Sequence, residues 1–266
     1  MRRLSIVVAA GLLMAACGPQ APDGAAKNRR EVVVAVDAAP GSAAAANWKR
    51  FADNVGIWAP EYSLTMRLAA EAGTPTERTA AVQSGTVQIA TLSPGMATDL
   101  VPELAVLSAP QLFDLLEQAD YVADKVVFES YRRLFSEHGL RLLDWTDDGW
   151  VDPSTREVYE AGVVVANKDW FDRLTPHDRD VFQQAYGSGG LARADSRAAA
   201  SIGGQAAGDM APDGEHRDWT EAVIEAHRAI IDRAGGNSQD IYDLVLRGRQ
   251  EFADRQAPAG AATSSR

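Results

Sequence analysis

An α/β fold is predicted by three observations on this 266-residue chain. Short β-branched or alternating segments recur between residues 31 and 166, capped amphipathic segments separate them, and the stretch from Trp219 to Phe252 is helical in pattern. Glu31 to Val36 (EVVVAV) is the first strand; its unbroken valines suit a strand covered on both faces, as in a parallel sheet between helices. Asp37-Ala38-Ala39-Pro40-Gly41 turns the chain. Ser42 is the N-cap of a helix over residues 43–56, with Trp48, Phe51 and Ala52 on one face. Tyr62, Leu64, Met66 and Leu68 alternate with Ser63, Thr65 and Arg67, the period of a half-buried strand.

Thr74-Pro75-Thr76-Glu77 opens the next helix as a capping box with proline at its first position, and Ser84-Gly85 closes it. Val87 to Ala90 follows as a strand, with Ser93-Pro94-Gly95 beyond its carboxyl end, where ligands sit in open α/β sheets. Asp114 to Glu137 reads as one amphipathic helix stopped by His138-Gly139. Leu140 to Trp145 and Tyr159 to Ala166 are strands on either side of a polar, turn-rich connection, residues 146–157. Thr175-Pro176 starts another capped helix. Residues 187–208 are rich in Ala and Gly. Trp219 to Ala234 and Ser238 to Phe252 give the helical carboxyl terminus.

The amino terminus reads as an address. Arg2 and Arg3 precede the uncharged run Leu4 to Ala16, the layout of a secretory signal and shorter than a membrane-spanning helix. Cys17 is the one cysteine, and Met14-Ala15-Ala16-Cys17 resembles the bacterial lipobox, whose cysteine carries palmitate-type acyl chains in the mature protein. The alternative is an ordinary cleaved signal with an incidental cysteine. Removing residues 1–16 takes away two arginines and no acid, so the net charge of −11 becomes more negative still. An acidic surface argues against nucleic acid and against anionic lipid headgroups as partners. With no further cysteine and the four histidines scattered, neither a disulfide nor a zinc site is expected, and no cofactor is implied.

The segment Glu77-Arg78-Thr79-Ala80-Ala81-Val82-Gln83-Ser84-Gly85, then Val87-Gln88-Ile89-Ala90, Ala109-Pro110-Gln111-Leu112-Phe113, Glu137-His138-Gly139-Leu140-Arg141 and Val163 to Trp170, follow one another as in the substrate-binding proteins of tripartite ATP-independent periplasmic (TRAP) transporters, which this chain resembles. The resemblance implies a periplasmic-binding-protein-like α/β fold of two lobes closing on a small organic ligand, typically a carboxylate. That ligand would be handed to TRAP-type membrane permease subunits by a periplasmic protein, here held to the membrane by a lipidated Cys17. The implied organisation is a signal peptide (1–16), a lipidated tether (17–30), a first α/β lobe (31–149), a shortened linker (150–157), the remainder of the second lobe with the terminal helices (158–254) and a disordered tail (255–266). The family places an arginine two residues after the glycine corresponding to Gly149, where this chain has Val151, and a longer segment with a second ligand-clamping arginine. Only nine residues separate Gly149 from Tyr159, so the second lobe is truncated. A non-transporting structural or protein-interaction lipoprotein derived from the same family is the alternative function.

On this reading Asn167 matches a family asparagine that contacts the ligand carboxylate, and a turn cap is its equal alternative. Ser93 and the Asp37–Pro40 loop lie where the first lobe faces the cleft. Trp145 and Trp150 flank the linker and either floor a pocket or pack in the core. Arg156, in the shortened connection, is either a substitute carboxylate grip or a solvated loop residue. Catalysis is not expected. Asp147, Asp148 and Asp152 lack metal-ligand spacing, Ser188 lacks a nucleophile elbow, and the glycine runs lack a phosphate-loop lysine.

Overall fold

Alternate side chains of the first strand enter two different apolar clusters, and this sets the three-layer architecture of the protein. The computed structural model describes residues 29–146, 149–151, 157–189, 191 and 219–256. Strand β1 (Arg30–Val36) sends Val33 and Ala35 into one core and Val32, Val34 and Val36 into the other. Helix α1 (Ala43–Trp58) covers the second face through Trp48, Phe51 and Val55, and Ser42 Oγ caps it by accepting from the Ala45 amide at 3.1 Å. Strand β2 (Tyr62–Leu68) pairs parallel with β1 at the sheet edge, and its alternate residues are exposed.

Helix α2 (Pro75–Ser84) carries the complete capping box of Thr74 and Glu77 and ends at Gly85, whose φ of 77° is the left-handed conformation that glycine tolerates. The next strand, β3 (Ile89–Leu92), begins two residues later than its apolar pattern suggested. Val87 is held instead by its amide bonding to the Ala81 carbonyl, and the Gln88 side chain bridges the Val33 amide and the Gly85 carbonyl. Helix α3 (Pro94–Leu100) and a 3₁₀ segment (Pro102–Val106) follow. The helix expected over 114–137 is three pieces: α4 (Leu116–Tyr121), a π-helical stretch (Val122–Val127) and α5 (Phe128–Glu137). Periodicity alone does not register such a widened turn.

Strand β4 (Leu140–Trp145) leads through the short pair β5 (Gly149–Trp150) and β6 (Tyr159–Glu160) to β7 (Val163–Asn167). The single strand expected over 159–166 is therefore two, broken at Ala161-Gly162, because its halves join different sheets. The main sheet has the order β2-β1-β3-β7-β4, with β7 antiparallel to both neighbours. Residues 158–254 were expected to build the rest of a second lobe. Instead β7 enters the sheet of the first, where all five of its residues are buried. Outside that sheet the strands among the described residues are the β5–β6 pair.

Helices α6 (Lys168–Arg173) and α7 (Pro176–Ser188) complete the α1 face. The buried Asp178 carboxylate accepts from the Tyr62 hydroxyl at 2.8 Å, and Arg30 donates to the same hydroxyl at 3.0 Å, joining α7 to β2 and the start of β1. Helices α8 (Glu221–Ala234) and α9 (Ser238–Gln256) pack on the opposite layer, α8 against the 3₁₀ segment and α9 against the π stretch. There Gly248 allows close approach: a Cβ would lie 2.8 Å from Val126 Cγ2. Buried His227 accepts at Nδ1 from the Tyr242 hydroxyl (2.8 Å) and donates from Nε2 to the Pro110 carbonyl (2.7 Å), since a carbonyl can only accept. It also stacks edge-on with Trp219, whose indole N–H donates to the Gln111 carbonyl. The terminal helices thereby hold the Pro110-Gln111 turn, where Gln111 has a φ of 54°.

Gly248→Leu should destabilise the protein by about 1–3 kcal/mol through overpacking against Val126. Gly248→Ala should change stability little, its gain in helix propensity of about 1 kcal/mol offsetting the smaller clash. Urea unfolding of the two variants checks this. Burial, reinforced by the nearby Arg249 charge and only partly opposed by the bond to Pro110, holds His227 below its ordinary value of 6.5. The stability of its neutral form is thus complete above about 6.5 and is lost as pH falls below that towards the folded-state value. Between pH 7.5 and 5 the melting temperature of the natural protein should fall more than that of His227→Gln, which keeps a donor and an acceptor but does not titrate.

Candidate functional site

Because β7 runs against β1, β3 and β4, the carboxyl ends of those three strands meet the amino end of β7 at one edge of the sheet. Asp37, Ser93, Trp145 and Gly162 stand at that edge. The Asp37 amide donates to Thr91 Oγ1 at 2.9 Å, tying the turn after β1 to β3, while the Asp37 side chain is 68% exposed. Ser93 is exposed where β3 gives way to α3, and its hydroxyl makes no side-chain capping bond.

Arg78 completes this edge, and the sequence reading did not single it out as a site residue. It lies four residues before Val82 on the buried face of α2, so its side chain lies with the core-facing residues and is 2% exposed. Its Nη2 donates to Asp37 Oδ2 at 3.3 Å and approaches Met96 Sδ at 3.9 Å; its Nε is buried without a hydrogen-bond partner. The available signal was a charged residue at core-facing helical spacing. Buried charges in proteins are paired or bind something.

The three described candidate ligand residues, Ser93, Trp145 and Asn167, do not converge. Trp145 is fully buried, with its ring edge-on to Phe128 and Tyr131, so it packs in the core beneath the site edge. Asn167 lies at the other end of β7, roughly 15 Å along the strand from the Ser93 edge. Its amide is occupied locally: Nδ2 donates to the Val82 and Gln83 carbonyls at 3.0 and 3.1 Å, and Oδ1 accepts from the Trp170 amide at 2.9 Å. One side chain thus caps the end of α2 and the start of α6. Ser93 alone of the three is exposed at the site edge, and Arg156 lies outside the described residues, as does Cys17.

On the opposite face of the sheet a cavity of about 310 Å³ is lined chiefly by Trp48, Phe51, Trp170, Phe182 and Tyr186, with Asp144 also on its wall. Among the described residues no group of His, Cys, Asp or Glu side chains could hold a metal ion, and no helix is long and apolar enough to cross a membrane.

Comparison with known proteins gives this geometry a context. No curated protein matches the sequence. The fold is similar to that of a TRAP periplasmic solute binding protein from Ochrobactrum anthropi, with 15% identity and a TM-score of 0.65 over 86% of this chain and 98% of that one. It is similar also to the sugar acid binding protein of Advenella mimigardefordensis in complex with galactonate (17%, 0.63, 84% and 99%). A third is the TRAP periplasmic solute binding protein of Chromohalobacter salexigens with bound D-glucuronate (15%, 0.62, 82% and 99%). The matching family model describes bacterial extracellular solute-binding proteins, and these structural neighbours are periplasmic solute-binding or sugar acid binding proteins. Residues 60–161 match the family of bacterial extracellular solute-binding proteins, family 7, and the chain carries an α/β fold similar to that of the TRAP periplasmic solute-binding proteins.

Proposed function

We propose that this protein is a lipid-anchored periplasmic receptor that binds a small organic acid and delivers it to TRAP-type membrane subunits. The observation that carries the reading is the edge formed by Asp37, Thr91, Ser93 and Arg78: polar groups gathered at the carboxyl ends of parallel strands, in a fold whose relatives hold galactonate and D-glucuronate. In this reading Ser93 touches the solute. Trp145 and Asn167 are positioning residues, Trp145 by filling the core below the edge and Asn167 by fixing the far end of the helix that carries Arg78. Arg156, which falls between β5 and β6 in the sequence, is proposed as a further grip on the carboxylate.

One observation favours a second reading, an interaction lipoprotein without cargo. Val151, which follows β5, is 60% exposed. In that reading a protein partner would cover this apolar residue.

Galactonate and D-glucuronate should raise the melting temperature, since a ligand at one hundred times its dissociation constant stabilises the folded state by about 2.7 kcal/mol. Unchanged melting across these and a broad panel of organic acids and apolar metabolites would reject the receptor reading and leave the interaction lipoprotein. Separately, Cys17→Ala should move the protein from the membrane fraction to soluble extract, because stable anchoring relies on acyl chains. A variant that stays membrane-bound would refute lipidation.

A further inference from the structure

We propose that Arg78 is the anion-binding residue of this site and that Asp37 is a resident carboxylate which an acidic solute displaces. The proposal rests on the solute-binding reading above and names the group that recognises the acid. A guanidinium offers five N–H donors in a fixed fork suited to a carboxylate. Arg78 uses this fork poorly. Its single carboxylate bond is 3.3 Å long, outside the 2.7–2.9 Å usual for charge-assisted pairs, its other partner is a thioether, and its Nε has none. With the side chain 2% exposed, water does not make up the deficit as it would on the surface.

Asp37 is the opposite kind of partner. Its carboxylate is 68% exposed, and its position depends on the backbone bond to Thr91, not on the ion pair. The carboxylate can therefore rotate into water while the turn stays in place, whereas the buried arginine cannot leave. An incoming carboxylate taking two N–H bonds would satisfy the donors that Asp37 leaves idle. Met96, which touches the guanidinium, lies less than one helical turn beyond Ser93, so the unbonded Ser93 hydroxyl stands within reach of a substituent on the same solute. The fitting ligand class is a small hydroxycarboxylate.

Galactonate titrated by calorimetry into the full mature chain, its Asp37→Asn variant and its Arg78→Gln variant tests this, with galactose as the uncharged control. Asp37→Asn should bind galactonate about 5-fold more tightly, the scale of an ion pair with one exposed partner. Arg78→Gln should bind it at least about 10-fold more weakly. If Arg78→Gln does not fold, Asp37→Asn decides alone, because its side chain is exposed. Galactonate binding by the natural protein that is unchanged or weakened in Asp37→Asn overturns the inference and leaves the receptor reading standing, whereas galactose binding without galactonate binding overturns both. Binding to Asp37→Asn alone supports displacement of a strong internal competitor. If neither protein binds galactonate, D-glucuronate or other organic acids, the receptor reading fails and the inference with it.

Discussion

The antiparallel ladder that β7 forms with β3 on one side and β4 on the other holds the sheet together, and every other feature of the molecule is arranged around it. Among the described residues strand β4 has no other partner in the sheet, so without β7 it would be detached along with the α5 helix packed on it. The side chains of β7 are shared between the two cores, Val163 and Val165 in one and Val164 and Ala166 in the other. A strand buried on both faces and paired on both edges has its backbone groups satisfied within the sheet, the condition for placing it in the interior.

The reversal at β7 also decides where polar groups gather. Four strands running one way with one returning bring the ends of β1, β3 and β4 beside the start of β7, and the turns there carry Asp37 and Ser93. Asn167 falls at the opposite end for the same reason. There it serves as a double cap, and the α2 helix it anchors reaches back across the sheet to bring Arg78 to the site edge. A buried arginine with an exposed acidic partner is an asymmetric arrangement. The cation is fixed by packing and the anion is replaceable, whereas two buried partners would lock each other in place.

The remaining layers are supports. The α1, α6 and α7 helices close one face through a continuous set of aromatic contacts, including Trp48–Tyr186, Phe51–Phe182 and Trp170–Phe182. On the other face α8 and α9 secure the Pro110-Gln111 turn through His227 and Trp219 and nest against the π stretch at Gly248. Between Trp145 and Val163 the described residues form the β5–β6 pair, which stands outside the main sheet.

Elements with local causes were legible from residues alone. Ser42, Thr74 with Glu77, and Thr175 each cap the helix they were expected to cap, because a cap depends on neighbours three residues away. The burial of β1 on both faces and the alternation of β2 likewise followed from side-chain pattern. The division of 159–166 into two strands, the π turn inside 114–137 and the late start of β3 depended on partners far along the chain, which periodicity does not encode. The site was read least well for the same reason. Ser93 is exposed just after β3, as its place after a strand suggested, but Trp145 was drawn into the core by Phe128 and Tyr131, and Asn167 was taken up by carbonyls more than eighty residues earlier. Sequence by itself thus determined the α/β class, the helix starts and the strand faces, all products of short-range chemistry. Tertiary structure alone decided that Arg78 meets Asp37, forty-one residues away, because only the assembled sheet brings the start of α2 to the end of β1.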